Sequence, residues 1–103
     1  MSAKWREEWK QSLRYLAAAR FYLPVTLKGG EKFAVDEQYL DYLHNREYEL
    51  ALEELAEFGI ENAGFAEEAL FWRELELAAQ HMGLPDKAAE YRGRADNNGS
   101  LDA

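Results

Sequence analysis

The amino-acid sequence predicts an all-α fold: a compact bundle of about five helices, with one long helix at the N-terminal end. Three observations carry this expectation. Apolar residues recur at three- and four-residue steps through successive segments. Gly and Pro residues fall between those segments rather than inside them. No competing strand pattern exists, since the run from Tyr22 to Leu27 is rich in β-formers but too short to build a sheet.

The first helix is predicted over residues 2–22, with Ser2 as its N-cap and Trp5, Trp9, Leu13, Leu16 and Leu23 on the inner stripe. Pro24 ends it, because the residue before a proline avoids the helical region. Gly29-Gly30 then marks a loop. A second helix starts near Asp36, which is placed to cap it, with Val35 as a hydrophobic staple. Tyr39, Leu40 and Leu43 form its inner face, and His44-Asn45-Arg46 ends it, with Asn as the stop.

The third helix runs from about Glu47 to Glu61 and places Tyr48, Ala51, Leu52, Leu55 and Phe58 on one apolar face. Gly59 and then Asn62-Ala63-Gly64 weaken and end it. The fourth spans about Ala66 to Met82, with Leu70, Phe71, Leu75, Leu77, Ala78 and Met82 facing inward and Gly83 as the C-cap signal. Pro85 suits the first turn of a last helix that ends near Ala95 and docks through Ala88, Ala89 and Tyr91. Residues 1–95 thus read as one helical domain, and residues 96–103 as a flexible tail.

The 103 residues suffice for one modest core. Aromatic residues make up 14% of the chain, which argues against disorder. Cysteine is absent, so disulfides, thiolate metal sites and a Cys nucleophile are excluded. Charged residues in the first ten positions, and no apolar run of membrane length, point to a cytoplasmic protein with no membrane partner.

The net charge of −8 is unevenly spread. Residues 1–32 hold seven Lys/Arg and three acids, whereas residues 47–76 hold ten Glu and only Arg73, a net of −9. Glu49, Glu53, Glu57 and Glu61 recur at four-residue steps along one face of the third helix, joined by Glu54. Like charges at that spacing repel, and nothing within the helix offsets them. A field of this sign repels nucleic acid and attracts basic proteins. Keeping the chain in solution is the plainer use of the same charge.

Reactive chemistry is sparse. Asp41 and His44 share a helix face, but a metal site needs more ligands. His81 stands where it would meet the terminal carbonyls of the fourth helix. No Glu-x-x-His pair, nucleophile elbow or P-loop occurs. The expectation is therefore no enzyme activity, no cofactor and no metal. The bases near the N-terminus alternate with Trp residues that fall on the core stripe, which disfavours nucleic-acid binding there. Trp72, between Glu68 and Glu76, is open to two readings: a partly exposed interface anchor, or a ring packed against the first or last helix.

The stretch Asn45-Arg46-Glu47-Tyr48-Glu49-Leu50-Ala51-Leu52-Glu53-Glu54-Leu55, followed by His81-Met82-Gly83-Leu84, resembles the MafI-type bacterial immunity proteins. The similarity covers about residues 40 to 84; the Trp-rich first helix lies outside it. What the resemblance implies is a small cytoplasmic antidote that neutralises a cognate polymorphic toxin, often a nuclease. It transfers no toxin-contact residues, because the shared motif is an amphipathic helix and a glycine stop. Charge supplies the candidate contacts: Glu49, Glu53, Glu54, Glu57, Glu61, Glu68, Trp72 and Glu76. The partner expected is a protein with a basic surface, bound by a monomer or weak dimer. The alternative is a small adaptor, since Glu47 to Phe58 also resembles the first helix of a tetratricopeptide unit, although arrays need about three repeats.

Overall fold

Each of the five segments expected to be helical forms a helix. They are α1 (Ser2–Tyr22), α2 (Lys32–His44), α3 (Tyr48–Glu61), α4 (Glu68–His81) and α5 (Pro85–Ser100), with no strand among the described residues. The computed structural model describes residues 2–23 and 32–100, and the side chains of residues 10–23 and 37–97. The core positions expected at Trp5 and Trp9, the staple at Val35 and the loop at Gly29-Gly30 lie outside these. The radius of gyration is 13.5 Å, close to the ~13 Å of a folded chain of about 100 residues.

The centre of the bundle is α4. It packs against α1 on one side, α5 on another and α3 on a third. Accordingly Phe71, Trp72, Leu75, Ala78 and Ala79 are all fully buried, a wider apolar arc than one stripe. Leu16 and Ala19 of α1 and Ala88, Tyr91 and Ala95 of α5 close over it. Trp72 stacks on Tyr91 with ring centroids 5.6 Å apart, and Phe71 meets the Trp72 ring edge-on at 4.9 Å. Leu70 and Ala89, expected inside, face solvent. Among the described residues, α2 packs chiefly on α3, and Arg20 of α1 lies over the Tyr39 ring.

Helix ends follow from local chemistry. Helix α1 ends at Tyr22 with a final turn in which Leu23 N–H donates to the Arg20 carbonyl. Helix α2 starts at Lys32, so Asp36 lies a turn inside it and does not cap it. Residues 32–35 contain no Gly or Pro to stop the helix extending backward. Its inner stripe is Tyr39, Tyr42 and Leu43, and Leu40 points outward. The helix closes with a Schellman arrangement in which Glu47 N–H reaches the Tyr42 carbonyl at 2.8 Å and Arg46 N–H the Leu43 carbonyl at 3.1 Å. The left-handed residue is Arg46, at φ 59°, rather than the Asn45 expected as the stop. Helix α4 closes the same way at Gly83, at φ 73°, where glycine carries no steric cost. Helix α5 continues to Ser100, past the Ala95 end expected from the polar Asp96-Asn97-Asn98 run. Burial of Ala95 and a 3.6 Å contact from Arg73 to Asp96 hold the turn that leads into it.

Gly59 does not weaken α3; it lets the helix approach α4. It is buried, and a Cβ there would strike the Phe71 ring and lie 2.9 Å from Trp72 Cζ2. Both atoms belong to fully buried rings that cannot swing aside. Substitution Gly59→Ala should therefore destabilise the fold by about 1–3 kcal/mol, despite alanine's better helix propensity. Urea unfolding followed by circular dichroism measures this, and an unchanged or raised midpoint would show that the helices do not meet this closely.

Candidate functional site

Helix α3 has one buried face and one open face. Ala51, Leu52, Leu55, Ala56 and Gly59 point into the bundle. The 3.6-residue period then turns Glu49, Leu50, Glu53, Glu54, Glu57, Ile60 and Glu61 outward. Glu49, Glu57 and Glu61 are exposed; Glu53 and Glu54 are half-buried. Four of these acids, Glu49, Glu54, Glu57 and Glu61, meet no ion-pair partner among the described residues. The fifth is offset from outside the helix: Lys87 Nζ of α5 donates to Glu53 at 2.8 Å. That hydrogen bond holds the Lys87 amine above its ordinary value. Glu54 shows the field of the row on itself. Partial burial, then repulsion from Glu57 and Glu61, raises its carboxyl above the ordinary range.

Two aliphatic side chains share this face. Leu50 is 42% exposed and Ile60 is 44% exposed. The reading by charge passed over both, although their positions off the Ala51–Leu52–Leu55 stripe were visible in the periodicity. Beside Leu50 lies a shallow groove lined by Arg46, Glu47, Tyr48, Glu49, Leu50 and Met82.

Three of the expected contact residues are structural instead. Trp72 is 0% exposed, and Glu68 and Glu76 are buried beside it. The Glu68 carboxylate accepts the Trp72 Nε1–H at 3.0 Å and the Gly64 N–H at 2.7 Å. It satisfies the indole and ties the α3–α4 turn to the core. Glu76 accepts from Arg92 Nε at 2.7 Å and from Gln80 Nε2 at 3.2 Å, which fastens α4 to α5. Neither the indole nor these carboxylates can form a surface contact, because α4 is covered by α1 and α5 together.

The remaining candidate groups do not converge. Asp41 and His44 are exposed on α2. The His81 ring lies 5.1 Å from the Tyr15 ring of α1, a side-chain contact. Among the described residues no three His, Cys, Asp or Glu side chains are grouped to hold a metal ion, and no helix is long and apolar enough to cross a membrane. Comparison of the chain with protein-family models, curated proteins and solved structures finds no match.

Two outcomes follow from these environments. Removing the Glu68 carboxylate in Glu68→Ala strands the buried Trp72 indole donor and releases the Gly64 N–H to water, and should cost about 1–3 kcal/mol of stability. Glu57→Ala on the open face should change it by less than about 0.5 kcal/mol. Equal effects in chemical denaturation would contradict the assigned roles.

The second outcome concerns pH. Burial raises the carboxyls of Glu54 and Glu74 in the folded state. The folded chain then holds these protons more tightly than the unfolded chain, so stability falls as pH rises through their folded values and recovers as pH drops. The Lys87 contribution is lost only above the ordinary lysine value of 10.5 and does not enter this window. As pH drops from neutral toward the ordinary glutamate value of 4.5, the thermal midpoint of Glu54→Gln should gain less than that of the parent chain. A parallel pH profile for the two proteins would remove Glu54 as a source.

Proposed function

We propose that the chain is an immunity protein that binds a cognate bacterial polymorphic toxin, acting in the cytoplasm, and neutralises it by covering a basic cleft. The toxin class the reading favours is a nuclease or another effector acting inside the cell. The observation that carries the proposal is the row of acids along α3, of which Lys87 offsets Glu53 while Glu49, Glu54, Glu57 and Glu61 meet no ion-pair partner among the described residues. Like charges four residues apart oppose one another by a few tenths of a kcal/mol per pair, so the helix itself gains no stability from them. A basic cleft built to take phosphates offers the complementary field. Glu49, Glu57 and Glu61 are the exposed contacts, with Glu53 and Glu54 at their flank. The mechanism is occlusion: carboxylates occupy the positions of nucleic-acid phosphates, and the bundle behind them blocks entry. The similarity of residues 40 to 84 to MafI-type immunity proteins points the same way.

Charge of this kind acts first on encounter. The double substitution Glu57→Lys and Glu61→Lys touches two exposed side chains that meet no ion-pair partner among the described residues. It should slow association with the cognate toxin by about tenfold at low salt, and the difference should shrink as salt rises. Stopped-flow or surface-binding kinetics at several salt concentrations, together with rescue of cells expressing the toxin, provide the test. An association rate indifferent to the charge reversal would discard the acidic face, and failure of the parent chain to rescue would discard the immunity reading.

A further inference from the structure

The outer face of α3 carries more than charge. Exposed aliphatic side chains are ordinary when scattered singly. Leu50 and Ile60, each nearly half exposed, share the outer face of α3 with its acids. They are ten residues apart, which on a helix is about 15 Å along the axis. Glu53 and Glu57 fall between them. The groove at the start of α3, with Tyr48 and Met82 in its lining, continues the apolar surface from Leu50. Apolar points some three turns apart, flanked by one sign of charge, are the pattern that an amphipathic helix of the opposite sign matches.

We propose that the outer face of α3 docks a basic amphipathic helix of the partner, its apolar residues seated on Leu50 and Ile60 and its Lys/Arg residues paired with Glu54, Glu57 and Glu61. This rests on the reading of α3 as the partner-binding face and adds the element it recognises. Charge complementarity selects this occupant: an acidic or neutral helix would leave the four unpaired carboxylates without partners. Glu53 is already held by Lys87, so the pairing bases sit toward Glu54 and Glu61 rather than toward α5. Carboxylates alone attract any basic surface; the two aliphatic anchors require an apolar stripe of matching spacing.

Two synthetic probes test this with the full chain: a helical peptide of alternating Leu and Lys stripes, and an oligolysine of equal charge. Binding is read by fluorescence anisotropy and located by backbone amide NMR shifts. The Leu/Lys peptide should bind more tightly and shift amides of residues 49–61. Leu50→Ser with Ile60→Ser should weaken that peptide by about tenfold and leave oligolysine unchanged. Glu57→Gln with Glu61→Gln should weaken both. The serine sites are exposed, and circular dichroism confirms that the variants stay folded. Equal binding of the two probes, untouched by the serine substitutions, overturns the anchors and spares the acidic face. Shifts confined to other helices overturn both. A dimer of the chain alone in sedimentation, abolished by the serine substitutions, assigns the face to a second copy and overturns the basic-helix partner. Peptide binding as expected but no rescue from the toxin sinks the immunity reading alone.

Discussion

Burial of the Trp72 indole is the condition on which the rest of the architecture depends. An indole N–H in an apolar core must find an acceptor, and Glu68, one turn earlier on the same helix, supplies it. The second oxygen of that carboxylate takes the Gly64 N–H, so one side chain fixes both the central ring and the turn that delivers α3. Gly59 then allows α3 to lie directly on the Phe71 and Trp72 rings. The rotation of α3 about its own axis is thereby set. With Ala51, Leu52, Leu55 and Gly59 committed inward, the acids have only the outside left.

The magnitudes explain why such a helix survives. Repulsion along Glu49, Glu53, Glu57 and Glu61 amounts to roughly 1 kcal/mol over the whole row. Burial of Leu52 and Leu55 returns about 1.5–3 kcal/mol each. Packing therefore outweighs the charge penalty several times over, and Lys87 removes part of it from across the bundle. Nothing in the described fold calls for that surface. Where acids do serve the structure, as Glu68 and Glu76 do, they are buried and hydrogen-bonded to named donors.

Most of the secondary structure was legible because its signals are local. Pro24, Gly83 and the Ala51–Leu52–Leu55 period act within a turn or two of themselves, and the limits of α3 and α4 fall within two residues of expectation. What was not legible depends on neighbours. The period of α4 marks one inner stripe and leaves Trp72 open to either surface or packing; Tyr91 of α5 stacks on its ring and settles it, and Glu68 and Glu76 go inward with it. Gly59 carries no sequence mark that separates a helix-weakening residue from a point of close approach. Leu40 and Leu70 fit helical spacing yet face outward, since α2 and α4 turn Tyr39 and Phe71 inward instead. The acidic row of α3 was legible because that helix has one covered face and a simple period.

Loss of Trp72 from the surface changes how specificity must arise. An exposed tryptophan would have supplied a large apolar contact at one point. Without it, a partner that meets only Glu49, Glu57 and Glu61 finds a field that any basic protein would welcome. Fields set encounter rates well and discriminate poorly, because most of their energy survives a shift of several ångströms. Discrimination needs short-range contacts that fail when the register is wrong. On this face those are Leu50, the groove beside it and Ile60, separated along α3 and surrounded by carboxylates that would be stripped of water by any ill-fitting apolar surface. On the proposed reading the acids would act twice, drawing a basic partner in and penalising one whose bases do not reach them.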